Sequence, residues 1–229
     1  HEIEMLAKAI EKSGREIVLS LSPGPALIDK AWHYETFANM WRITDDFWDN
    51  WRLLKDMFHR CELWQSHVAE GCYPDCDMLP LGYLGKGFGH ERTTNFTKDE
   101  QRTMMTLWCL FGSPLMLGAE MTKMDEWTLS LLTNEEVLKM LTPDCRPRQI
   151  CLDDKKAIWT GINDKSGNAY VALFNLSDGE AEISVKAEDL HIDKKIGQLV
   201  ELWDKDVQKA GEVISKKLPV HGCVVYKLM

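Results

Sequence analysis

The chain of 229 residues is 45% hydrophobic and 28% charged, with a formal net charge of -9. Its length allows one large domain or two of moderate size, each with a buried core. The acidic balance has no offsetting Lys/Arg block and speaks against nucleic acid or an anionic membrane as partner; no apolar run approaches the length of a bilayer span.

Residues 1–14 place Ile3, Leu6, Ala7 and Ile10 on one helical face and stop at Ser13-Gly14, the pattern of an amphipathic helix and not of an export signal. The compartment stays open: periplasmic or secreted if a preceding segment carries a signal, otherwise cytoplasmic. EIVLSLS (16–22) reads as the first strand, 23–38 carries the next helix and MWRIT (40–44) the second strand. Asp49 then caps a helix over 50–64, and DMLPLG (77–82) is a third short strand. Thr97 with Glu100 makes a capping box for the helix at 98–111, and SPLML (113–117) is a fourth strand. After Pro143 and Pro147 the pattern changes to strands split by turn residues: QICL, AIWTGI, NAYVALFNLS, EAEISV, GQLVELW, GEVISKKL and GCVVYKLM.

The expected class is therefore α/β followed by all-β. Residues 1–145 read as the second half of a (β/α)8 barrel, since four βα units are too few to close one. Residues 146–229 read as an antiparallel β-sandwich. The chain opens on a helix of the βα series with no strand in front of it, so a truncated N-terminus is expected. Seven cysteines lack a finger spacing, and the irregular gaps among His59, Cys61, His67, Cys72 and Cys76 do not favour zinc. Free thiols and no metal or organic cofactor are expected.

The chemistry concentrates in WRITDDFWDNW (41–51), where adjacent carboxylates lie among three tryptophans. Large indoles bury while carboxylates need partners or water, so the stretch calls for a pocket walled by Trp41, Trp48 or Trp51 over an acidic floor, as in a sugar site. Strand parity puts Trp41 and Ile43 under the helices and directs Arg42, Thr44 and Asp46 to the barrel axis at its C-terminal mouth. Asp46 is thus preferred to Asp45 as the catalytic carboxyl; the structural alternative is an acid that only pairs with Arg42. Trp108, among Met104, Met105 and Phe111, reads as core. Trp159 and Trp203 read as core too, with a sugar-stacking platform as the alternative for one of them. Glu120 lies where it either lines the mouth or bonds the next loop, and His90 and His221 show no partner spacing.

These motifs resemble glycoside hydrolase family 27, the α-galactosidase and α-N-acetylgalactosaminidase family. WRITDDFWDNW aligns Asp46 with the family's general acid/base and Arg42 with its substrate-binding arginine. DCDMLPLG (75–82) is similar to the Asn-Asp-Pro-Asp-Met-Leu stretch, which implies sugar contacts for Asp77 and Met78. SPLMLGAEM resembles the eighth barrel strand, and YVALFNLSD, ELWDKD and LPVHGCVVYKL resemble the C-terminal sandwich. The resemblance implies a retaining hydrolase that removes terminal α-galactosyl residues from oligo- or polysaccharides without a cofactor. The alternatives are a β-L-arabinopyranosidase of the same family, or a non-catalytic carbohydrate-binding or accessory fragment.

Departures from the family pattern fall at three places. Ser22-Pro23-Gly24 replaces Cys-Glu-Trp, leaving Ser22 at the substrate-facing position and a different specificity loop. The cysteine that relatives place ahead of the Trp-Arg motif is Ala38, so both halves of that bridge are missing together, as in a bacterial-type branch. Cys76 replaces a proline. The family's nucleophile has no counterpart in this chain, which alone is expected to be inactive. Its expected partners are a galactoside substrate and either the N-terminal half-barrel of the same enzyme or a second copy.

Overall fold

In the computed structural model, described over residues 1–22, 24–85, 90–193 and 195–229, a parallel barrel fragment leads into an antiparallel β-sandwich. Three strands, β1 (Ser20–Leu21), β2 (Met40–Arg42) and β3 (Tyr73–Asp75), pair in parallel in that order. Helix α1 (Glu2–Ser13) precedes them, α2 (Ala31–Phe37) joins β1 to β2, and α3 (Trp51–Trp64) joins β2 to β3. On α3 the buried residues are Leu54, Met57, Phe58, Cys61 and Trp64, a helical stripe that packs against the sheet.

Two expected strands form differently. The third is not 77–82 but β3, three residues shorter and earlier, while Leu79 makes a lone parallel bridge to Leu117. That bridge is all that remains of the expected fourth strand at 113–117. Pro74 explains the misreading: a proline inside YPD reads as a turn, yet it is tolerated here because β3 ends the three-stranded sheet. An unanticipated pair, β4 (Tyr83–Leu84) and β5 (Arg92–Thr93), runs antiparallel between them.

Helix α4 (Lys98–Phe111) begins on the expected capping box, with Thr97 Oγ1 accepting from Glu100 N–H and the Glu100 carboxylate accepting from Thr97 N–H. It is buried along most of its length and ends at Gly112, whose φ of 91° and approach of 2.9 Å between its would-be Cβ and Val68 leave no room for a side chain. By contrast, the cap of α3 is Asn50, whose side chain accepts from Arg52 N–H, and not Asp49. Two short helices follow, α5 (Glu126–Leu132) and α6 (Glu135–Leu138).

The sandwich comprises β6 (Cys145–Leu152), β7 (Lys156–Asn163), β8 (Ala169–Asn175), β9 (Ala181–Lys186), β10 (Gln198–Glu201), β11 (Val207–Lys209), β12 (Val213–Leu218) and β13 (Cys223–Leu228). One sheet has the order β11-β10-β13-β8-β7-β6; the other is the β12-β9 pair. Parity divides the large sheet: Ile158, Val171, Leu173 and Val224 face β9 and β12, whereas Trp159, Ala172, Phe174 and Val225 join the core of α3 and α4. Strand β8 is buried on both faces, which is why its sequence is a continuous apolar run. Phe58 meets Phe174 edge-on at 4.9 Å, so barrel and sandwich share one core. No described helix is long and apolar enough to cross a membrane.

Candidate active site

The β2 strand and the loop after β3 bring the predicted residues together. Parity holds at β2: Trp41 and Ile43 are buried, and Arg42 leaves on the opposite face, level with Asp75 in the β2–β3 ladder. Arg42 Nη1 lies 3.0 Å from both Asp46 Oδ1 and Asp77 Oδ2. Arg42 and Asp77 are each 14% exposed, whereas Asp46 is 86% exposed. One guanidinium thus links a recessed carboxylate to an open one.

Asp77 is held by its own backbone. Its φ of 74° is left-handed, a conformation that aspartate tolerates better than most residues. In that geometry its Oδ2 also accepts from Phe47 N–H at 2.7 Å and its Oδ1 from Met78 N–H at 2.7 Å. Trp108, buried as expected, donates through Nε1 to the Asp77 carbonyl at 3.2 Å. Asp77 N–H in turn donates to Asp75 Oδ1 at 2.8 Å. The sequence does not single out Asp75, because the strand that places it starts at Tyr73, four residues before the expected start at 77.

Burial pushes the Asp75 carboxyl above its ordinary value, with the Asp77 N–H bond opposing the shift. An acid whose folded pKa exceeds its unfolded one contributes stability that is fully present below the unfolded pKa and is lost as pH rises through the folded one. Asp75→Asn, which keeps an acceptor for Asp77, should flatten the decline of Tm with pH from about pH 4 upward. Thermal unfolding of both proteins across that range checks it; parallel curves would remove Asp75 as the source.

The three tryptophans of the motif part company. Trp41 is buried beneath the sheet, stacked on Tyr34 at 5.8 Å. Trp51 stacks at 3.7 Å on His221, which despite its unremarkable sequence setting also meets Glu100 at 2.7 Å. Trp48 lines a cavity, of about 270 Å³, together with Met78, His90, Arg92, Gly118 and Glu120. Glu120 both borders this space and binds Thr122, whose hydroxyl and N–H hold its carboxyl below the ordinary range.

Asp49, expected from the sequence only as a helix cap, instead anchors a distant strand. Its buried carboxylate receives both guanidinium nitrogens of Arg92, one at 2.7 Å and one closer, and the Asn95 N–H as well. The bond ties β5 to the loop that carries Asp46 and Trp48. No local signal marks it, since its partners lie more than forty residues away.

Gly118 sets the position of Met78. A Cβ there would stand 2.6 Å from Met78 Sδ and 3.3 Å from the Leu79 carbonyl, so Met78 must move if alanine is introduced. Gly118→Ala should cost about 1–3 kcal/mol of stability, as read by urea titration. Ser22, the residue after β1, is exposed; the β1–β2 ladder ends one residue earlier, at Leu21 opposite Trp41. Pro23 lies outside the described residues; a Cβ at Gly24 would stand 3.7 Å from Asp45 Oδ1.

Comparison with known proteins identifies the family. Residues 2–142 match the family model described as Alpha galactosidase A, and residues 153–228 that of the Alpha galactosidase C-terminal beta sandwich domain. A glycoside hydrolase family 27 β-L-arabinopyranosidase structure from Geobacillus stearothermophilus is 47% identical with a TM-score of 0.93, covering 99% of this chain and 53% of that one. Alpha-galactosidase 2 of Arabidopsis thaliana is 26% identical over 97% of this chain and 54% of its own length. Alpha-galactosidase of Cyamopsis tetragonoloba is 27% identical over 97% and 52% respectively. The chain spans about half the length of these relatives and belongs to glycoside hydrolase family 27.

Proposed function

We propose that this chain supplies the acid/base side of a retaining glycosidase acting on terminal pyranosides of galacto configuration. The observation that carries the reading is the shared Arg42 nitrogen, with Asp77 recessed on one side and Asp46 open to an incoming ligand on the other. Asp46 Oδ1 accepts from Arg42, so Oδ2 is the oxygen free to hold a proton. In the first step that proton passes to the glycosidic oxygen while a carboxylate about 5–5.5 Å away attacks the anomeric carbon. Asp46 then takes a proton from water as the glycosyl–enzyme bond is hydrolysed. Arg42, Asp77, Met78 and Ser22 border the sugar.

Residues 1–145 contribute to the catalytic barrel and 146–229 form the sandwich. The attacking carboxylate belongs to polypeptide that pairs beyond β1. Ile17, Val18, Leu27 and Ile28 are exposed around β1, and α1 buries no residue while exposing Met5 and Leu6. A parallel strand edge with such apolar surroundings ordinarily has cover, which further strands of the same enzyme would provide.

Likeness to the Geobacillus enzyme at 47% identity supports β-L-arabinopyranosides as the better substrates; the curated α-galactosidases at 26–27% support α-D-galactosides as the second reading. The two sugars share ring hydroxyl geometry and differ at C6. Steady-state hydrolysis of their nitrophenyl glycosides by the full-length protein decides between them. A higher kcat/KM on the pentoside is expected. Preference for the N-acetylgalactosaminide would overturn the substrate class, and turnover of none would favour a non-catalytic binding module.

A further inference from the structure

Away from the candidate active site, two half-buried indoles border one cleft where the barrel fragment adjoins the sandwich. Trp127 lies on α5 and Trp203 just after β10. Both border a cleft of about 460 Å³, within the range of roughly 300–1,000 Å³ usual for small-molecule sites. Between them, Arg102 places its guanidinium carbon 5.3 Å from the Trp127 ring centre and 5.7 Å from that of Trp203.

The ring N–H groups are already engaged inside the protein. Trp127 Nε1 donates to Gln101 Oε1 at 3.0 Å, and Trp203 Nε1 donates to Thr106 Oγ1 at 2.9 Å. These bonds fix both rings by their polar edge; Arg102 lies over both rings and Lys98 Nζ over Trp127 at 4.7 Å, and what the indoles offer the cleft is the apolar π-surface that these cations leave uncovered. Apart from Leu131 the rest of the lining is polar: Ser130, Asn134, Glu136 and Lys205 supply hydroxyl, amide, carboxylate and ammonium groups. Arg102, Lys205, Glu135 and Glu136 put two charges of each sign on the lining, and Arg102 and Glu136 are already paired with Asp204 and Lys139, which favours a neutral ligand over an ion. Fixed aromatic surface beside closely spaced donors and acceptors suits a ligand with apolar C–H faces and a rim of hydroxyls.

We propose that the Trp127–Trp203 cleft is an accessory site for a neutral oligosaccharide, distinct from the Arg42–Asp46–Asp77 centre. Trp127 also borders a second cavity, of about 700 Å³, whose lining includes Thr93, Thr94 and Thr97. The hydroxyl-rich surface thereby continues from Trp127 to β5, whose Arg92 lines the cavity of the candidate active site. A polymer held at this cleft would lie close to the centre that trims its branches.

Affinity electrophoresis of the full-length protein in gels containing soluble arabinogalactan tests this, with D-galactose and L-arabinose at saturation to occupy the catalytic pocket. Retardation should persist in the presence of both monosaccharides. Trp203→Ala should weaken it about tenfold or more, the scale of loss when an aromatic anchor is truncated. Ser130→Arg fills the cleft from an exposed position without removing core packing, and should weaken retardation equally while leaving Tm unchanged. Absence of retardation in the wild type, its loss with monosaccharide alone, or full retardation in both variants would each overturn the proposal. Hydrolysis is read separately: retardation without turnover would leave this site standing and count against the glycosidase reading.

Discussion

Asp46→Ala in the full-length protein should lower kcat/KM on poorly activated glycosides by about 10²–10⁴-fold, the usual contribution of a general acid. Aryl glycosides with good leaving groups should lose far less in the first step, because their departing oxygen needs little protonation. The contrast follows from geometry: Asp46 is 86% exposed and contributes to no core, so its removal leaves Asp77 and Arg42 still paired at 3.0 Å. Melting temperature should change little, as expected for an exposed ion pair of about 0–1 kcal/mol. A uniform loss across all leaving groups, or a loss of folding with normal turnover in the surviving protein, would assign Asp46 to structure and not to chemistry.

Arg92→Met should destabilise the fold by about 3–5 kcal/mol, and more than Asp49→Ala does. The asymmetry comes from burial: the Asp49 side chain is 2% exposed and that of Arg92 is 36% exposed. Without Arg92, a carboxylate stays buried with only the Asn95 N–H as a described partner. Without Asp49, the guanidinium can turn to water. The double variant should recover part of the loss, since no charge is then left stranded. Urea titrations of the four proteins measure the coupling. Equal effects of the two single variants would mean that Asp49 reaches water in solution. Arg92→Met should also disturb the cavity wall that β5 and Trp48 share, and so raise KM.

What the sequence makes legible here is local or periodic. The capping box at Thr97 and Glu100 needs only three residues of separation, and the period of two along MWRIT is enough to bury Trp41 and turn Arg42 toward Asp46. The sandwich strands announce themselves by alternation between turn residues. β3 is not legible, because Pro74 mimics a turn and the left-handed Asp77 breaks the strand pattern immediately afterwards. Nor are the separate fates of Trp41, Trp48 and Trp51: they fall in a strand, a loop and a helix start, and those three settings point them at different neighbours. Asp49 and His221 depend on partners far along the chain, Arg92 and Glu100, and only folding brings these together. Asp49 and Asn50 are both good helix caps by type; which one caps α3 is decided by the competing demand of Arg92.

The role of Asp46 is tested most directly by the product that Asp46→Ala forms with azide. In the full-length variant, azide needs no general base, so it should enter the vacant space beside Arg42 and intercept the glycosyl–enzyme intermediate. Turnover of a nitrophenyl β-L-arabinopyranoside or α-D-galactoside should rise with azide concentration, and proton NMR should show a glycosyl azide with the anomeric configuration of the substrate. An azide of inverted configuration would instead identify Asp46 as the nucleophile, and the absence of any rescue would contradict its assignment as the acid/base.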